Sequence, residues 1–166
     1  MGIALITCLD LVGLHGDDQP LAAGQRELES LIADGSAVIQ PFLASVLTVG
    51  ERSLVFIAGR FSHAVCKRPA VGEFRVQAAW GGNTQVVEAD HDDLRVADAA
   101  LGAIGEAVLY ARVDLLRDGE GSSWLLELEL LDPRLYLSFS RSAQLALADA
   151  IEGCERRPPP ARWPRA

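Results

Sequence analysis

The chain has 166 residues, of which 49% are hydrophobic and 23% charged, and its formal net charge is −8. This length and balance are typical of one globular domain with enough apolar residues to form a core. The negative charge argues against an extended nucleic-acid-binding face, which needs clustered Lys and Arg. No apolar run approaches the ~20 residues of a membrane span, and Met1–Ile6 lacks the basic start of a signal peptide. We therefore expect a cytoplasmic protein that binds neither nucleic acid nor membrane.

Turn residues divide the first half of the chain into short segments. Apolar spacing through Leu28, Leu31 and Ile32 predicts a helix over 25–34, which Gly35 would end. Gly59-Arg60 lies between two segments rich in β-branched and aromatic residues and indicates a hairpin. Strands are predicted over 3–8, 37–43, 53–58, 61–67, 74–80 and 84–88.

The second half contains the clearest helical pattern. Residues 92–104 place apolar side chains on one face and acids in the first turn, where the helix dipole favours them. A second helix is predicted over 140–151, and strands over 108–116 and 124–130. The predicted fold class is α+β: a mainly antiparallel sheet with two or three helices packed on one face, plus a short N-terminal strand.

The two strands of the second half alternate charged with apolar residues. Arg112 and Asp114 share one face of the first strand, and Glu127 and Glu129 share one face of the second. If the strands pair as a hairpin, three carboxylates and a guanidinium gather on one side of the sheet. A divalent cation and a phosphate need such a cluster, whereas an apolar core does not. The alternative is an exposed strand face with solvated acids.

The cysteines, histidines and serines of the sequence do not indicate another kind of catalytic or metal site. Cys8, Cys66 and Cys154 are odd in number and widely spaced, which argues against a disulfide framework or a zinc site. The three histidines have no metal-ligand spacing, and no serine lies in a nucleophile elbow.

The same strand pair resembles the metal-binding end of ATP-grasp enzymes, ligases that join a carboxylate to an amine through an acyl-phosphate. Segments 39–42, 50–65 and 72–82 resemble, in order, the hinge between the ATP-binding lobes, the following hairpin, and the phosphate-side strand and loop. Within the family, the residues most resemble the branch that includes the O-ureido-serine cyclo-ligase of cycloserine biosynthesis. The resemblance covers about residues 25–152.

The resemblance implies ATP and Mg²⁺ as cofactors. Asp114, Glu127 and Glu129 would ligate one or two Mg²⁺ ions that bridge the phosphates, and Arg112 and Arg75 would stabilise the transition state as catalytic cations. The remaining implied cofactor-binding residues are the hinge residues Gln40, Pro41 and Phe42, with Glu51 accepting from the ribose hydroxyls or orienting the hinge, and Lys67 near a phosphate.

Each of these roles has a plain structural alternative. Glu51 could be a solvated loop acid, and Lys67 a surface lysine with its stem on apolar residues. Arg75 and Arg112 could each neutralise the acids next to them, a role that is compatible with the catalytic one.

The chain lacks the motifs of a whole ATP-grasp enzyme. It contains one lysine and no glycine-rich phosphate loop before Gln40, so the first ATP lobe and most of the N-terminal domain are expected to be missing. The expected organisation is a remnant strand and loop (1–24), the C-terminal ATP-grasp lobe (25–154) and a disordered Pro/Arg tail (155–166).

Two function classes follow from this organisation. One is a truncated Mg-ATP-binding ligase domain with small carboxylate and amine substrates, in which a homodimer or a partner supplies the missing lobe. The other is a non-catalytic remnant or interaction module that keeps the fold without ligase activity.

Overall fold

The computed structural model describes residues 21–34, 43–70 and 81–155. The chain divides into two compact units, Met1–Ala44 and Ser45–Ala166. In the first unit, helix α1 covers Leu21–Asp34 and therefore includes the predicted segment 25–34. The strands predicted over 3–8 and 74–80, nearly all of the one over 37–43, and nearly all of the tail lie outside the described residues.

The described residues of the second unit form one five-stranded antiparallel sheet. Its strands have the order β3-β2-β1-β4-β5, with every neighbouring pair antiparallel. The predicted α+β class with an antiparallel sheet is therefore confirmed. The strands are β1 (Glu51–Ile57), β2 (Arg60–Arg68), β3 (Asn83–Val87), β4 (Tyr110–Arg117) and β5 (Ser123–Glu129).

Within the described part of this unit, two helices cover opposite faces of the sheet. Helix α2 (His91–Gly102) buries Ala97 in a cluster with Leu54 and Phe56 of β1. Helix α3 (Arg141–Glu155) buries Ala143 in a cluster with Val55 of the same strand. Because successive strand residues point to opposite faces, these are two separate cores. The expected placement of the helices on a single face differs from the structure, since the apolar stripe of a helix does not specify which side of a sheet it covers.

A buried carboxylate fixes the N-terminus of α2 to three strands of the sheet. Asp93, which is fully buried, accepts from Arg52 Nε at 2.7 Å, Arg117 Nη2 at 3.0 Å and Ser123 Oγ at 2.6 Å. Asp90 and Asp93 also form a reciprocal capping box at the helix start. We call these five residues the Asp93 network. It joins the starts of β1 and β5 to the end of β4.

Gly50 is the residue that turns the chain into β1, and it has a positive φ of +92°. A Cβ atom there would lie 2.5 Å from the backbone oxygen of Lys67, a contact that real side chains do not make. Gly59 also has a positive φ, +74°, but a Cβ atom there would meet nothing within 4 Å.

We therefore expect Gly50→Ala to lower the free energy of unfolding by about 3 kcal/mol, because steric overlap adds to backbone strain. The matched change Gly59→Ala should cost about 1 kcal/mol, since it adds strain alone. Urea unfolding of both variants measures the difference. Equal losses at the two sites would show that the contact at Gly50 is relieved without cost.

Candidate functional site

Antiparallel pairing of β4 and β5 brings the three predicted carboxylates together. Asp114 lies opposite Glu127, and Arg112 lies opposite Glu129, on the face of the sheet that α3 covers in part. One carboxylate oxygen from each acid lies within 4.8 Å of one from each of the other two. We call Asp114, Glu127 and Glu129 the acid cluster.

Asp114 is the buried centre of this cluster, with 1% of its surface exposed. Arg112 donates to it from Nε at 3.0 Å and from Nη2 at 2.8 Å, and also donates from Nη2 to Glu129. Ser53 on β1 donates its hydroxyl to Asp114 Oδ1 at 2.6 Å. The alternative of a solvated acidic face therefore does not hold for Asp114. The alternative that Arg112 neutralises neighbouring acids does hold.

A second ion pair adjoins the first on β1 and β2. Lys67 donates to Glu51, which lies opposite it in the sheet, and its Nζ is 3.7 Å from Asp114 Oδ2. Lys67 is 7% exposed and Glu51 is 8% exposed. Glu51 is therefore not a solvated loop acid, and Lys67 is not a surface lysine. We call Lys67 and Arg112 the cation pair.

The pKa shifts of Glu51 and Lys67 run in the same direction for different reasons. Burial raises the pKa of Glu51 to about 7, and this effect exceeds the lowering by Lys67. Burial lowers the pKa of Lys67, but the charges of Asp114 and Glu51 exceed that effect and leave it above its ordinary value. The ammonium is therefore kept charged by the site.

Glu127 differs from the other two acids of the cluster. Burial raises its pKa, and the charges of Glu129 and Asp114 raise it further. No ion pair to Glu127 occurs among the described residues, whereas Asp114 and Glu129 are both paired with Arg112. Its surroundings therefore favour the ionised form of Glu127 less than that of a carboxylate in water.

The donor set fits a hard divalent cation. Carboxylate oxygens from three acids converge, and Mg²⁺ prefers such oxygen ligands together with phosphate and water oxygens. Among the described residues of the site there are four carboxylates and two cations, so full ionisation would leave an excess of two negative charges. One Mg²⁺ ion would balance that excess.

The other predicted site residues are not all described. Gln40, Pro41, Phe42 and Arg75 lie outside the described residues. Sequence reasoning missed Ser53. This small polar residue directly precedes the apolar run Leu54–Ile57, and a polar residue in a buried strand was a usable signal.

No protein-family model matches the chain. Among curated proteins, the cycloserine biosynthesis protein DcsG of Streptomyces lavendulae is 37% identical over 134 residues, which is 76% of this chain and 45% of that protein. The glutathione synthetase of Prochlorococcus marinus is 27% identical over 134 residues, 78% of this chain and 42% of its own length. The chain thus spans about half the length of these curated relatives.

A solved structure of the D-cycloserine synthetase DcsG superposes with a TM-score of 0.68 at 34% identity, covering 80% of this chain and 48% of that one. The chain belongs to the ATP-grasp superfamily.

A second structure supports the ATP-grasp fold. The D-alanine–D-alanine ligase of Bacillus anthracis, crystallised with ATP, has a TM-score of 0.52 at 16% identity and covers 81% of this chain and 45% of its own. At that identity the likeness concerns the fold alone. Within the part of the chain that the structure describes, no helix is both long and apolar enough to cross a membrane.

Proposed function

We propose that this chain supplies the magnesium- and phosphate-binding part of an ATP-dependent ligase. The observation that carries the proposal is the convergence of the acid cluster beside the cation pair on one face of the sheet. The similarity of the chain to DcsG and to other ATP-grasp enzymes supports the choice of ATP as the phosphate donor.

In this proposal, Asp114, Glu127 and Glu129 hold Mg²⁺ through their carboxylate oxygens. The bound ion would neutralise charge on the ATP phosphates and orient them for transfer. Glu127 can bind the ion without giving up an ion pair, because no cation pairs with its carboxylate in the described part of the chain. Asp114 would have to share its oxygens between the metal ion and its present partners.

The cation pair takes the complementary role. Arg112 presents a planar guanidinium that suits a phosphoryl group, and Lys67 presents a compact ammonium. Both are bound to carboxylates in the free protein. Once the carboxylates turn to Mg²⁺, both cations have donors available for phosphate oxygens. Glu51 keeps Lys67 in place and is proposed to reach the ribose hydroxyls.

The substrates and partners follow from the superfamily. We propose a small carboxylate and a small amine as substrates, joined with cleavage of ATP to ADP and phosphate. We further propose that groups outside this segment, from a second copy or from another chain, complete the nucleotide site, and that the protein acts in the cytoplasm. The chain matches 45% of DcsG and 42% of the glutathione synthetase, so both relatives contain groups outside the matched segment.

Calorimetric titration of Mg²⁺, and of ATP with and without Mg²⁺, tests the proposal. We expect ATP binding that requires the metal. Glu127→Gln should weaken Mg²⁺ roughly tenfold or more, because it removes an ionised ligand. The same change should raise the free energy of unfolding of the metal-free chain by about 0.5 kcal/mol, since it removes like-charge repulsion across the strands.

The exposed turn residue Glu120 provides the matched control, because Glu120→Gln removes the same charge away from the cluster. If neither Mg²⁺ nor ATP binds the folded chain, the alternative of a non-catalytic module takes precedence. The ion pairs that already hold Asp114 would then serve only to stabilise the sheet.

A further inference from the structure

Ser53 is a fully buried polar residue at the centre of the sheet. It lies on β1 directly opposite Asp114 of β4, and 0% of its surface is exposed. Its hydroxyl donates to Asp114 Oδ1 at 2.6 Å. The residues that follow it, Leu54–Ile57, are all apolar and buried, so packing alone does not require a hydroxyl group at this position. Since a buried hydroxyl costs free energy unless it is hydrogen-bonded, Ser53 depends on Asp114 as its partner.

The two carboxylate oxygens of Asp114 have different partners. Oδ1 accepts from Ser53, whereas Oδ2 accepts from Arg112 Nη2 at 2.8 Å and lies 3.7 Å from Lys67 Nζ. Arg112 Nε is 3.0 Å from both oxygens. Because Arg112 Nη2 also donates to Glu129, Oδ2 is the oxygen that shares a donor with the rest of the acid cluster. Oδ1 is instead held from the side of β1.

The partners of Asp114 also differ in their freedom to leave it. Arg112 and Lys67 have long side chains that can turn to phosphate oxygens. Ser53 has a short side chain that is shielded from water. If its hydroxyl left Asp114, a buried polar group would lose its hydrogen bond, and that loss is costly. We therefore expect Ser53 to keep Oδ1 when the two cations release Oδ2.

We propose that Ser53 is a positioning residue that holds Asp114 by Oδ1, leaves only Oδ2 for the metal ion, and thereby favours Mg²⁺ over Ca²⁺. This inference rests on the proposed function and extends it to the choice of ion. Mg²⁺ demands a compact, nearly octahedral set of ligands, which a carboxylate offering a single oxygen suits. Ca²⁺ takes more ligands in a looser arrangement and often binds both oxygens of one carboxylate.

The chain offers a matched control on the opposite face of the sheet. Ser123 donates its hydroxyl to Asp93 Oδ1, also at 2.6 Å, and is 6% exposed. Ser53→Ala and Ser123→Ala therefore each remove one hydrogen bond between a buried hydroxyl and a buried carboxylate. We expect similar decreases in melting temperature, because the lost bonds are alike. Only the carboxylate that Ser53 holds belongs to the acid cluster.

Calorimetric titration of the metal-free chain with Mg²⁺ alone, and with Ca²⁺ alone, tests the ion preference. We expect Ser53→Ala to weaken Mg²⁺ binding about tenfold, as loss of a hydrogen bond to a metal ligand predicts. Ca²⁺ affinity should stay within about twofold, because the freed Oδ1 can join Oδ2 as a second ligand atom. Ser123→Ala should change neither affinity.

A second measurement needs no metal ion. In NMR spectra of the metal-free chain, we expect Ser53→Ala to shift and broaden the side-chain carboxyl carbon signal of Asp114, because that carboxylate can then turn between orientations. Ser123→Ala should leave the Asp114 signal unchanged and shift the signal of Asp93 instead.

The outcomes separate this inference from the proposed function. If the unaltered chain binds Mg²⁺ and ATP but Ser53→Ala keeps its Mg²⁺ affinity, or loses affinity for both ions equally, the proposed function stands and the inference is overturned. If the unaltered chain binds neither ion but Ser53→Ala changes the Asp114 signal, the proposed function and the ion preference fail, while Ser53 still holds the carboxylate. An unchanged Asp114 signal in Ser53→Ala overturns the inference in either case.

Discussion

Asp114→Asn is expected to abolish Mg²⁺-dependent ATP binding and to destabilise the metal-free protein at the same time. The amide removes the charge at the centre of the acid cluster, so Mg²⁺ affinity should fall roughly 100-fold or more. It also leaves Arg112 and Lys67, which are 7% exposed each, without their shared carboxylate. Because breaking a buried ion pair leaves an uncompensated charge, we expect a loss of about 3 kcal/mol in the free energy of unfolding. Calorimetry and urea unfolding measure the two effects.

The contrast with Glu127→Gln makes this prediction specific. Both changes remove a metal ligand, but only the loss of Asp114 deprives cations of a partner, so the two variants should shift stability in opposite directions. Asp132→Asn is the control, since Asp132 is exposed and its left-handed φ of 56° suits asparagine. Retention of wild-type Mg²⁺ affinity by Asp114→Asn would remove Asp114 from the ligand set.

Asp93→Asn is expected to lower the free energy of unfolding by about 3 kcal/mol without direct loss of a metal ligand. Asp93 is fully buried and neutralises Arg52 and Arg117, whose side chains are 13% and 20% exposed. The amide keeps one acceptor oxygen but not the charge, so neither guanidinium retains its full partner. Thermal unfolding should show a decrease of roughly 10 °C in melting temperature.

Asp98→Asn provides the control on the same helix, because Asp98 is exposed and lies outside the Asp93 network. It should leave the melting temperature within about 1 °C, as surface substitutions normally do. A stability loss at Asp93 no larger than at Asp98 would mean that the buried carboxylate contributes nothing net to the fold.

Local patterns predicted much of the second unit. Charge alternation in the two acidic segments identified β4, β5 and the face shared by the acid cluster, because the period of a strand is two. Gly59 indicated the β1–β2 hairpin, and the acids at 92–93 indicated the start of α2. In each case the information lies within a few residues of the feature that it predicts.

What the sequence did not reveal depends on contacts between distant residues. Arg52 and Asp93 are 41 positions apart, and no local pattern pairs them. The burial of Lys67 likewise depends on its partners across the sheet, so a surface position was an equally good reading. The left-handed backbone of Tyr136 has no local signature, since tyrosine does not favour it.

The alternation of β1 between two cores has an evolutionary consequence. Arg52 belongs to the Asp93 network, whereas its neighbours Glu51 and Ser53 face the acid cluster. Adjacent codons of β1 therefore contribute to separate polar networks on opposite faces of the sheet. A substitution on one face can disturb its own network while the network on the other face keeps its contacts. Surveys of natural variation should find changes at Arg52 accompanied by changes at Asp93, and changes at Ser53 accompanied by changes at Asp114.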